Sequence, residues 1–146
     1  MTRDDRNRSR ANAEDEAGDE IAERERHSGY YPRIADLAEE ARHERETFDP
    51  PDAPDEERAL AYARDGLGDV VALYIEARTA EWDVEFSGRE LDLLHRATND
   101  YLSLYTRCHG VEFDTDVTVR EVAEIVLKTH NVVDTAQLVT KVPERD

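Results

Sequence analysis

The stretch Phe86-Ser87-Gly88-Arg89-Glu90-Leu91, running on to Tyr105-Thr106-Arg107-Cys108-His109-Gly110, decides the fold. Ser87 with Glu90 three residues later is a capping box, in which each side chain satisfies a backbone N–H that the helix start leaves open. Phe86 and Leu91 stand at the two positions of a hydrophobic staple. Beyond them Leu91, Leu94, Thr98, Tyr101, Tyr105 and Cys108 recur at three- and four-residue steps. That spacing is one face of a long α-helix, and Gly110 supplies the stop. A chain built around such an element needs other helices to cover its apolar face.

The flanking sequence supplies them. The same start grammar recurs at Thr118-Val119-Arg120-Glu121, with Val117 and Val122 as the staple. That helix turns Val122, Ile125 and Val126 inward and ends near Thr129. Asn131 is placed to cap a last short helix carrying Val132, Val133, Ala136, Leu138 and Val139, which Pro143 ends. Upstream, Asp55 caps a long helix to Ala80 with a stripe of Leu60, Ala63, Leu67, Val70, Val71, Tyr74 and Ile75. Gly66 and Gly68 interrupt it, each at a cost of up to about 1 kcal/mol relative to alanine, and mark either a kink or a close helix crossing. A first helix runs from Tyr30 to near Phe48 through Ile34, Leu37 and Ala41, with Pro32 in its first turn. Between these two, Asp49-Pro50-Pro51-Asp52-Ala53-Pro54 reads as a stiff linker. Only Val84-Glu85-Phe86 and Val111-Glu112-Phe113 have strand character, and neither is long enough to build a sheet. The expected fold is all-α, a compact bundle of about five helices.

Residues 1–28 read as a disordered charged tail. Ile21 is their only large aliphatic after Met1, too little to offset chain entropy. Arg3, Arg6, Arg8 and Arg10 open this tail and acids dominate from Glu14. Residues 29–146 form a single helical domain, with the linker at 49–54.

Charge sets the solvent. The chain has 36 Asp+Glu against 19 Lys+Arg, a formal net charge of −17, and its only lysines are Lys128 and Lys141. Self-repulsion on this scale opposes a compact state at low ionic strength. Molar salt shortens the Debye length to about 3 Å and screens most of it. Arginine in place of lysine suits the same setting, since guanidinium is weakly hydrated and pairs bidentately with carboxylates. Acidic bias, scarce lysine and a helical pattern together resemble small uncharacterised proteins of halophilic archaea. One cysteine, Cys108, excludes an internal disulfide framework. The chain carries no apolar run long enough for a membrane span and no signal-peptide core at its start. These features point to the cytoplasm.

Four leads bear on chemistry. Residues 118–142 pack two short helices about a tight turn, as a helix-turn-helix does, and would offer Arg120, Lys128, His130, Asn131 and Lys141 to DNA. Against it, Leu127 and Lys128 depart from the turn pattern and Asp134 would face the phosphates, where recognition needs cations. Arg89 and His95 have an R-x5-H spacing that resembles the motif of HEPN-type helical ribonucleases. That resemblance implies His95 as the acid/base group and Arg89 as a phosphate holder. Glu90, the residue after Arg89, is accounted for by the capping box, and six residues of helix place the pair on different faces. Cys108, His109, His95 and His130 lack the spacing of a metal site, and Asp114-Thr115-Asp116 lacks the ligands of a cation loop. No cofactor or metal is expected. Tyrosines favour places with one dry and one wet end, which makes Tyr30, Tyr31 and Trp82 candidates for a protein interface. The reading these residues favour is a non-enzymatic helical protein, an adaptor or regulator, that binds another protein or itself, with no membrane role. A DNA-binding regulator using residues 118–142 is the alternative, and a HEPN-like ribonuclease the third.

Overall fold

The computed structural model describes residues 27–80 and 84–144. Among them the chain is all-helical, with no strand. Helix α1 spans Tyr31–Glu46. Helix α2 is one rod in three parts: α-helical Glu56–Ala61, π-helical Tyr62–Leu67 and α-helical Gly68–Arg78. Helix α3 is Gly88–Cys108, α4 is Val119–Thr129 and α5 is Val132–Thr140.

The long helix is the axis of the bundle. Every other helix packs on α3, α1 and α2 most extensively. The capping box at its start is made: Ser87 Oγ accepts from the Glu90 N–H at 3.1 Å and Glu90 Oε1 accepts from the Ser87 N–H at 2.9 Å. The second box, Thr118 with Glu121, is made in the same way. Asp55 and Asn131 cap α2 and α5, accepting from the N–H groups of Arg58 and Asp134. α4 and α5 are joined through His130, which ends α4 in the left-handed conformation at φ 57°.

Gly66 marks a close crossing. Inside α2 the Gly68 N–H reaches back to Ala63 O, five residues away, which is the π-turn bond. A Cβ built on Gly66 would stand 2.9 Å from Tyr101 Cγ and closer still to Cδ1 and Cε1. The π turn and the missing side chain together let the Tyr101 ring press against the α2 backbone. Gly68 has ordinary contacts only, to Ala63 O and Val132 Cγ1.

Three expectations need amendment. His27 and Ser28, the end of the expected tail 1–28, belong to the fold: His27 Nδ1 lies 2.7 Å from Ser87 Oγ, and Ser28 bonds Glu90 twice. The rest of the tail, residues 1–26, lies outside the described residues, as does Trp82. The long second helix is not uniformly α-helical. The buried face of α3 is also wider than its stripe, because Leu93, Ala97, Leu102 and Leu104 are buried as well while Leu91 is only half-buried. A helix covered from several sides buries more than one stripe. The linker 49–54 is non-helical and its ends are held: Arg58 donates to Asp49 O at 2.9 Å and lies 4.5 Å from the Phe48 ring centroid, while the Asp55 N–H bonds Cys108 O at 2.7 Å.

Candidate functional site

α3 is not apolar all round. Arg89, Asp92, Arg96, Asp100, Ser103 and Arg107 follow one another at three- and four-residue steps, so they share one side of the helix. The C-terminal half of α1 sets Arg42, Arg45 and Glu46 opposite this stripe, and Thr115 and Asp116 close one end. Between them lies a groove of about 850 Å³ lined by five arginines. In so acidic a chain this is a concentration of cations.

Those arginines are in different states. Arg42 is chelated by Glu39 and Glu46 on its own helix, and these bonds raise its pKa. Arg45 bridges Asp100 at 2.8 Å and Asp114 at 3.1 Å, and the bond to Asp100 raises its pKa against the effect of burial. Arg107 stands 3.8 Å from Asp114, and its buried Nε has no partner among the described residues. Arg89 and Arg96 have no hydrogen bond or ion pair to any described residue, although Asp92 stands one turn from each. Arg96 also lies near enough to Glu39 on α1 to help lower that carboxyl's pKa, so the groove holds two guanidiniums on one helix face that make no hydrogen bond or ion pair, one of them with a carboxylate nearby.

Asn99 fixes the wall of the groove. Its Nδ2 donates to His95 O and Val117 O, both at 2.8 Å, and its Oδ1 accepts from Thr115 Oγ1 at 2.6 Å and the Val117 N–H at 3.0 Å. All of its near polar partners lie either on α3 or on the segment that leads into α4.

His95 is half-buried and also lines a second cavity, of about 400 Å³, with Tyr74, Arg78, Phe86, Leu91 and Arg120. There the Tyr74 and Phe86 rings stack, with centroids 5.8 Å apart and 18° between planes.

The residues singled out in the sequence are scattered over this frame. Arg89 and His95 do line one groove, although about 120° of helix separates them, because the groove wraps around α3. Tyr30 and Tyr31 are half-buried against the core. Tyr31 stacks on the His27 ring at 4.2 Å and Tyr30 lies under the Arg33 guanidinium. Arg120, Lys128, His130, Asn131 and Lys141 are all exposed. Arg120 pairs with Glu124 at 3.1 Å, and the Asn131 side chain is engaged as the cap of α5. Lys141, at φ 59°, ends α5 as His130 ends α4. Cys108 is buried, which pushes its thiol up to about 11, and the His109 ring packs edge-on against Tyr105. No group of acids, histidines and cysteine among the described residues could hold a metal ion. No helix among the described residues is long and apolar enough to cross a membrane.

The groove is not among the expectations drawn from the sequence, which single out none of Arg42, Arg45, Arg96 and Arg107. The signal was present as a second, polar period in α3, offset from the apolar one.

No curated protein and no solved structure matches the chain. A family model matches residues 28–144, which covers nearly all of the described fold and begins at the serine that bonds Glu90. The chain belongs to that family, DUF8055, a domain of unknown function.

Proposed function

We propose that this protein is a non-enzymatic helical module that binds another protein, using α4, α5 and the segment that precedes them. The observation that supports this is the distribution of exposed apolar bulk. The exposed large hydrophobics among the described residues are Val111, Phe113, Leu127 and Leu138. All four fall in the last third of the chain, and Leu127 and Leu138 are at least half exposed, at 57% and 50%. Each is apolar area left in water, worth about 25 cal/mol per Å² if covered. Exposed phenylalanine and leucine in so charged a chain suit contact with a partner better than solvent. These two helices suit DNA less well, since Leu138 and Asp134 share α5 and Arg120 is occupied by Glu124.

The test is a tagged purification from the native host in molar KCl, with wild type beside Leu127→Glu/Leu138→Glu. A stoichiometric protein that co-elutes with wild type and is lost from the double variant is the expected result. A partner that the variant retains would place the interface elsewhere. Nuclease-sensitive nucleic acid, lost instead on changing Lys128 and Asn131, would favour the DNA-binding alternative.

A further inference from the structure

The arginine groove and the smaller cavity share a wall, His95. On one side of it stand Arg89 and Arg96, neither held in an ion pair, and on the other the stacked rings of Tyr74 and Phe86. We infer that the two cavities form one site for a nucleoside phosphate: phosphate on Arg89 and Arg96, a ribose hydroxyl on Asp92, and the base against Tyr74 and Phe86.

Three features carry this. Arg89 and Arg96 are seven residues apart, two helical turns or about 10.5 Å along the axis and nearly the same azimuth. Two long side chains so placed converge on an anion between them, and guanidinium matches phosphate geometry in a bidentate way. Asp92 sits between the two without an ion pair to either. A carboxylate there works against a bare phosphate, but it accepts O–H donors, and a ribose supplies them beside its phosphate. The stacked pair in the second cavity is half-buried, with Leu91 beside it. That is an apolar wall with polar groups at its rim, which suits the face of a base. The two volumes lie in the range of small-ligand sites.

The test is titration calorimetry on the full chain, at low and at molar KCl, with adenosine monophosphate, inorganic phosphate, a short single-stranded oligouridylate and an oligoglutamate peptide. Adenosine monophosphate is expected to bind more tightly than inorganic phosphate. Arg89→Ala/Arg96→Ala, at exposed positions, should weaken it by about tenfold or more. Phe86→Leu should weaken the nucleotide and leave phosphate unchanged. Asp92→Asn should reduce the preference for the nucleotide over its 2′,3′-dideoxy analogue, a readout independent of any loss of packing at Phe86. An oligouridylate that binds more tightly than the mononucleotide identifies a polymer as the source of the phosphate, and equal affinity identifies the free nucleotide; either upholds the site. The inference is overturned if adenosine monophosphate does not bind, if phosphate binds as tightly, or if oligoglutamate outcompetes both and is lost in the double arginine variant.

Discussion

Ser28 is bonded twice to the Glu90 carboxylate, from its N–H to Oε1 at 2.9 Å and from its hydroxyl to Oε2 at 2.5 Å. Glu90 is fully buried and also accepts from the Ser87 N–H. One side chain therefore closes the cap of α3 and ties the start of the domain to it. Burial pushes the Glu90 carboxyl up, but the hydrogen bonds from Ser28 and Ser87 outweigh it and hold the group below its ordinary value of 4.5. A depressed carboxylate stabilises the fold fully above its unfolded pKa and loses that contribution as pH falls through the folded value. Glu90→Gln should therefore cost about 1–2 kcal/mol near neutral pH. The gap to wild type should close as pH drops below about 4.5. Denaturant titrations of both proteins across that range check it, and a gap that widens in acid would refute the assignment.

Gly66 and Gly68 make an internal control. In an open helix, glycine to alanine stabilises by up to about 1 kcal/mol. At Gly66 the new methyl meets the ring of Tyr101, itself only 3% exposed and unable to swing away. Gly66→Ala should destabilise by about 1–3 kcal/mol through overpacking. Gly68→Ala, with contacts no closer than 3.5 Å, should be neutral or stabilising. Thermal melts of the two variants read this directly, and equal shifts would mean that the crossing is looser than described.

Much of this architecture was legible because helix starts and apolar periods are local signals. Ser87 with Glu90, Thr118 with Glu121, and the caps Asp55 and Asn131 all sit where the sequence places them. The π turn at Tyr62–Leu67 was not legible, since it arises where Tyr101, far along the chain, meets Gly66. The groove was hidden for a related reason. Arg42 and Arg45 face α3 only once α1 has docked along it, and a lone arginine in sequence carries no mark of what it will face. Arg89 stands out in the sequence only for its spacing to His95. That it stands beside Arg96 in the groove without an ion pair is a property of the fold.

Asn99 joins the candidate site to the helices beyond it. Its amide makes four hydrogen bonds, three of them to Thr115 and Val117 in the segment that enters α4. Asn99→Asp keeps the shape but removes the donors to His95 O and Val117 O and sets a carboxylate against both carbonyls. The loss should be about 2–3 kcal/mol, from acceptors left unmatched and a partly buried charge. The local signature should be faster amide exchange at residues 115–118 relative to α1. An exchange pattern unchanged in that segment would show that other contacts hold it.

Salt sets two electrostatic effects against each other. The surface pairs Arg33–Glu76, Arg42–Glu46 and Arg120–Glu124 are well exposed, so each contributes little and screening removes little from it. Against them stands a net charge of −17, which no pairing within the chain can neutralise. Its repulsion acts over the Debye length, about 10 Å at 0.1 M salt and 3 Å at 1 M. Raising KCl to molar concentration therefore relieves more repulsion than it removes attraction, and the melting temperature should climb steeply. Sodium sulfate adds a salting-out contribution of its own and should stabilise more than KCl at equal ionic strength. Calorimetric melts across a KCl series decide the matter. A melting temperature flat from low to molar salt would mean that the carboxylates are spaced widely enough not to oppose folding, and would remove the physical argument for a high-salt setting.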